Sequence, residues 1–126
     1  MWQTENIPDD GALFYRLHAT VDFRDGIVKP RAFQERGEGD ARGMSTDWDK
    51  YSTPKKSRDR VREFGKDPAN YRIGKFMVGV LRNELLLSVT HQPFDENRAH
   101  TSVTGIDGER ETELRLKLRD VVVLVG

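Results

Sequence analysis

Leu13-Phe14-Tyr15-Arg16-Leu17-His18-Ala19-Thr20 is the stretch whose reading decides the fold. Leu13, Tyr15, Leu17 and Ala19 alternate with Phe14, Arg16, His18 and Thr20. A period of two marks a strand with one apolar face. Working outward, residues 1–12 contain Pro8, Asp9, Asp10 and Gly11 and read as an irregular lead-in. Asp25-Gly26 predicts a turn, and Ile27-Val28 a short strand ended by Pro30. Residues 34–42 carry Glu35, Arg36, Glu38, Asp40 and Arg42 among glycines, have little to bury, and are expected to form a mobile loop.

Thr53-Pro54 announces a helix, with Thr53 as N-cap, Pro54 at the first position and Gly65 as terminator after Phe64. Val61 and Phe64 are its expected core contacts. Tyr71–Leu81 is rich in β-formers, Asn83-Glu84 reads as a hairpin turn, and Leu85–His91 as the returning strand. His100–Ile106 alternates again. In Glu109–Arg119 the leucines at 114, 116 and 118 alternate as in a strand, but acids lead and bases follow, which matches a helix dipole. We read it as a helix. Val121–Val125 is apolar throughout and is expected inside the sheet. The sum is one α+β domain over residues 1–126: a mostly antiparallel or mixed sheet of about five or six short strands with two helices.

Lys+Arg and Asp+Glu are both 21, so the net charge is zero, which argues against a dedicated nucleic-acid binder. With 33% charged residues, no apolar run approaches the ~18 needed to span a bilayer, so no membrane partner is expected. The chain has no cysteine, which excludes disulfides and thiolate metal sites and fits a reducing, cytoplasmic setting.

Strand alternation aims Arg16 and His18 the same way. A guanidinium fork beside an imidazole donor can hold a phosphate, although polar alternation is also what a solvated strand face shows. Gly43-Met44-Ser45-Thr46 offers two hydroxyls for a ribose or phosphate, with Tyr51 able to stack on a planar ring. The same hydroxyls also suit local turn chemistry. His91, Asp95, Glu96, Asn97, Arg98 and His100 form a third polar cluster, with Glu96 as a candidate acid or base and Arg98 and His100 as ligand contacts. It lacks the spacing of His-x-His or HExxH, so no metal site is expected. Lys55, Lys56, Arg58, Arg60 and Arg62 make the 54–64 helix basic. That is either a solvated face or a surface for nucleic acid or an acidic protein partner.

Phe14-Tyr15-Arg16-Leu17-His18, Asp25-Gly26, Arg31-Ala32-Phe33, Gly43-Met44-Ser45-Thr46-Asp47 and Asn97-Arg98-Ala99-His100 together resemble a group of short bacterial proteins with no assigned activity. More remotely, the chain is similar to the ADP-ribosyltransferase-like fold, which includes RNA 2′-phosphotransferases and RES-type toxins. That resemblance implies Arg16 or His18 at the first site position, Ser45, Thr46 or Tyr51 at the second, and Glu96 as the late acid. Phe94 stands where that family carries the first residue of Glu-x-Glu or Gln-x-Glu. The expectation is an NAD- or nucleotide-binding domain with NAD as cofactor and Arg16, His18 and Glu96 as catalytic residues. The alternative is a non-catalytic accessory module that binds a protein or nucleic acid through the basic 54–64 helix and the charged 34–42 loop.

Overall fold

The computed structural model describes residues 1–126. Six strands form one antiparallel sheet: β1 (Ala12–His18), β4 (Met44–Trp48), β5 (Tyr71–Met77), β6 (Ser88–His91), β7 (His100–Thr104) and β8 (Val123–Val125), in the order β6-β7-β4-β1-β5-β8. A separate two-stranded ribbon joins β2 (Phe23–Arg24) to β3 (Ile27–Val28). Asp25 and Gly26, at φ 53° and 79°, make its turn. Two left-handed residues in a row are what a type I′ hairpin requires, and Asp-Gly is a favoured pair for it.

The two helices cover opposite faces. On one face Leu13 and Leu17 of β1, Met44 and Trp48 of β4, Phe76 of β5 and Val103 of β7 pack with Leu114 and Leu118 of α2 (Glu111–Val121). The register Leu13↔Trp48, Leu13↔Phe76 and Met44↔Val103 is what places them together. On the other face lie Phe14, Arg16 and His18 of β1 with Ser45 and Asp47 of β4, under α1 (Pro54–Asp59) and the 3-10 turn Arg60–Phe64 that extends it. Thr53 Oγ1 accepts the Lys56 N–H at 3.1 Å, and Gly65 ends the segment at φ 73°. Thr53→Ala is therefore expected to lower stability by about 1 kcal/mol in urea unfolding.

Three expectations are corrected. Asn83-Glu84 is not a hairpin turn but part of a π-helical turn, Val80–Glu84. Strands β5 and β6 are separated in the sheet by β1, β4 and β7. A two-residue turn joins only neighbours, so the chain crosses instead, burying Leu81, Leu85 and Leu87 on the way. Val123–Val125 is an edge strand, paired only with β5. Phe64 is 66% exposed, so Val61 is the covering segment's one buried apolar side chain. The helix expected over 109–119 is present as α2. At the charged 34–42 segment Arg36 and Gly43 exchange backbone hydrogen bonds of 3.0 and 2.9 Å. No helix is long and apolar enough to cross a membrane.

Candidate functional site

The β1–β4 ladder contains only Leu13↔Trp48 and Phe14↔Asp47. Beyond it Tyr15–His18 has no ladder partner on the β4 side, although β1 stays paired to β5 along its whole length. A cleft of about 500 Å3 opens there. Tyr15, Arg16, His18, Ser45 and Tyr71 line it, and so do Arg31, Arg36 and Lys66. Asp22 is its one acidic residue, and the Asp22 carboxylate accepts the His18 backbone N–H at 2.7 Å.

Arg16 is held in place from two sides. Its Nη2 meets Asp47 Oδ2 at 2.5 Å and its Nε donates to the Ser57 carbonyl at 2.5 Å. Asp47 is 0% exposed. Its second oxygen accepts Asn97 Nδ2 at 2.8 Å, while Asn97 Oδ1 accepts the Ala99 N–H at 3.2 Å. Burial pulls the Arg16 guanidinium below its ordinary pKa, and the Asp47 carboxylate pulls it back up. The hydrogen bonds of Arg16 leave Nη1 without a protein acceptor at the cleft wall.

His18 is oriented by its own turn. The Thr20 and Val21 N–H groups donate to its Nδ1 at 3.3 and 3.2 Å. The ring packs edge-on against Tyr71, with centroids 5.2 Å apart. Nδ1 is thus an acceptor, and Nε2–H is the donor left for a ligand.

Ser45 and His100 meet on the same sheet face, as diagonal neighbours in the β4–β7 register Ser45↔Ser102 and Asp47↔His100. His100 Nδ1 donates to the Gln92 carbonyl at 2.8 Å, and Nε2 stands 3.3 Å from Ser45 Oγ. Phe94 stacks on the imidazole at 4.1 Å between centroids. Burial lowers the His100 pKa from its ordinary 6.5. The Gln92 carbonyl and the Asp47 charge oppose that shift, while Arg16 and Arg60 reinforce it.

The structure brings Arg16, His18 and Ser45 to one cleft, with His100 behind Ser45. It separates the others. Thr46 points to the opposite sheet face, fully buried, with its hydroxyl on the Thr101 carbonyl at 3.0 Å. Tyr51 gives its hydroxyl to Glu5, and its ring lies under Arg98, 4.0 Å from ring centroid to guanidinium carbon. The Trp2 ring also lies against that guanidinium, at 4.4 Å, so Tyr51 and Arg98 pin the N-terminal segment. Glu96 lies outside the cleft, in a shallow hollow with Trp2 and Phe94, and its backbone carbonyl takes a hydrogen bond from Arg60 at 2.9 Å. His91 lies on the core face with both ring nitrogens engaged, by the Glu5 N–H and the Arg98 carbonyl. On the basic segment Lys55 and Arg62 pair with Asp59, and Arg58 donates to the Gly126 carbonyl; Lys56 is left exposed.

Sequence reading passed over Asp47, Arg31, Arg36 and Lys66 as site residues. The signal for Asp47 was present: a period of two carries it to the same face as Ser45. Arg36 lies in the 34–42 segment, whose charges read as a loop and a partner surface rather than as a cleft wall. Comparison with family models, with curated proteins and with solved structures finds no match to this chain, so the residues of the cleft carry the functional reading alone.

Proposed function

We propose that the cleft between β1 and β4 binds a phosphate-bearing small molecule of the nucleotide class, NAD included. The observation that carries the reading is the convergence of Arg16, His18 and Ser45 with Arg31, Arg36 and Lys66 on one hollow. A neutral protein has no general need for such a concentration of cations in a concavity. Arg16 Nη1, the His18 Nε2–H and the Ser45 hydroxyl supply directional donors, and the remaining cations supply field. Tyr15 and Tyr71 add aromatic surface to the walls. The positions of Glu96 and Tyr51 support binding more than the full transferase set that the family resemblance implied.

Titration calorimetry with NAD, AMP and ADP tests this, with a melting scan as companion, since a ligand of the native form raises its stability. At least one of the three is expected to bind. Arg36→Ala and His18→Ala are each expected to weaken that binding by about tenfold, the scale of one charge-assisted hydrogen bond. Absence of heat and of any melting shift with all three refutes the reading.

A further inference from the structure

From the Ser45–His100 geometry we infer that Ser45 is an activated nucleophile at the cleft wall and that the protein transfers a phosphoryl group from a phosphate ester to water through it. The inference rests on the cleft's being a phosphate site, and goes beyond it by assigning a reaction. A carbonyl only accepts, so the contact with Gln92 requires the proton on His100 Nδ1. Nε2 then carries the lone pair that faces the Ser45 hydroxyl. A base oriented by a third group beside an exposed hydroxyl is the arrangement that covalent catalysis requires. Here the Gln92 carbonyl and the stacked Phe94 ring do the orienting. His100 is only 9% exposed, whereas Ser45 is exposed and lines the cleft beside Arg16.

The reaction balances with water as the only co-reactant. Ser45 Oγ forms a bond to phosphorus as its proton passes to His100 Nε2. The bond from phosphorus to the leaving oxygen breaks, and that oxygen keeps the electron pair and takes the proton from His100. Water then attacks the phosphoserine, gives its proton to His100, and the Oγ–P bond breaks. Ser45 Oγ recovers the proton, and phosphate leaves. Arg16 stands where negative charge builds on the phosphoryl oxygens, a role that cations at fixed positions perform well.

The test is covalent labelling of the full chain with a fluorophosphonate, read by intact mass and peptide mapping. Ser45 is expected to be phosphonylated with loss of fluoride, and Ser45→Ala to remain unlabelled. His100→Gln is expected to slow labelling at least about 100-fold, the usual contribution of a positioned base. Because that variant also alters a buried position, wild type supplies a second reading. Its labelling rate should fall about tenfold per pH unit once His100 is protonated, with the midpoint below pH 6.5. No adduct on Ser45, or a rate that does not fall on acidification below pH 6.5, overturns the inference. Inorganic phosphate should protect Ser45. Labelling without protection, together with silent nucleotide titrations, would sink the phosphate reading and with it the phosphate-ester substrate. Nucleotide binding without labelling would sink the nucleophile and leave the binding reading intact.

Discussion

Asp47→Ala is expected to destabilise the protein by about 3–5 kcal/mol, enough to lower its melting temperature by roughly 10–25 °C. The size follows from what the substitution leaves behind. Arg16 has a side chain only 18% exposed, and Asp47 is its one ionic partner. Removing the carboxylate leaves a desolvated guanidinium uncompensated and strips Asn97 Nδ2 of its acceptor. The damage spreads to α1, because Arg16 is also the group that holds the Ser57 carbonyl. A second variant separates this account from simple cavity formation. Replacing both partners, as in Arg16→Met with Asp47→Ala, removes the stranded charge along with its partner. Buried pairs exchanged together for apolar groups are often tolerated. The double variant is expected to be more stable than Asp47→Ala alone, measured by urea unfolding. Additive losses from Arg16→Met and Asp47→Ala would show that the pair is not coupled.

The same pair shows which parts of the site sequence patterning can reach. Alternation in Leu13–Thr20 was enough to put Arg16 and His18 on one face, and it holds in β1. Asp25-Gly26, Thr53-Pro54 and the charge order of α2 marked their turns and ends correctly, because each acts through local backbone chemistry, whereas the α-helix stops at Asp59 and Gly65 ends only its 3-10 continuation. Pairing is different. Nothing local in Leu85–His91 says that three strands intervene between it and β5. An all-valine and leucine stretch at 121–125 reads the same whether its strand lies inside a sheet or at its edge. Short motifs mislead for a related reason. Ser45 and Thr46 are adjacent, as candidate hydroxyls should be, yet a strand sends adjacent side chains to opposite faces. His91 and His100 are close in sequence, yet β6 and β7 turn one toward the core and the other toward the cleft. Tyr51 and Arg98 read as ligand contacts because aromatic and cationic groups near a polar loop look available. In the fold they are taken by Glu5 and Trp2, from a lead-in that carried no pattern of its own.

Alkaline unfolding should expose the second large effect, through Tyr15. Its phenol donates to the Ala32 carbonyl at 2.5 Å, and its ring packs 5.8 Å from Phe33. Burial first, and then the Asp22 charge, push its pKa up to about 12 from the ordinary 10. The native state therefore keeps a proton that the unfolded chain releases above pH 10. Below pH 10 the contribution is intact. Between pH 10 and 12 stability falls with rising pH, by as much as about 1.4 kcal/mol per unit and about 3 kcal/mol in all. Tyr15→Phe cannot titrate, so it escapes this loss, but it leaves the Ala32 carbonyl without its donor, a cost of about 1 kcal/mol at neutral pH. The two dependences cross. Wild type should be the more stable protein at pH 8 and the less stable one by about pH 11.5, with equality near pH 11 by the same linkage. A difference between the two that stays constant from pH 8 to 11.5 in urea unfolding would refute the assignment. The site is drawn in because Arg31, Ala32 and Gln34 form the wall of the cleft that Tyr15 anchors to the sheet. Ionising one phenol is then expected to loosen the ligand site in the pH range where it loosens the fold.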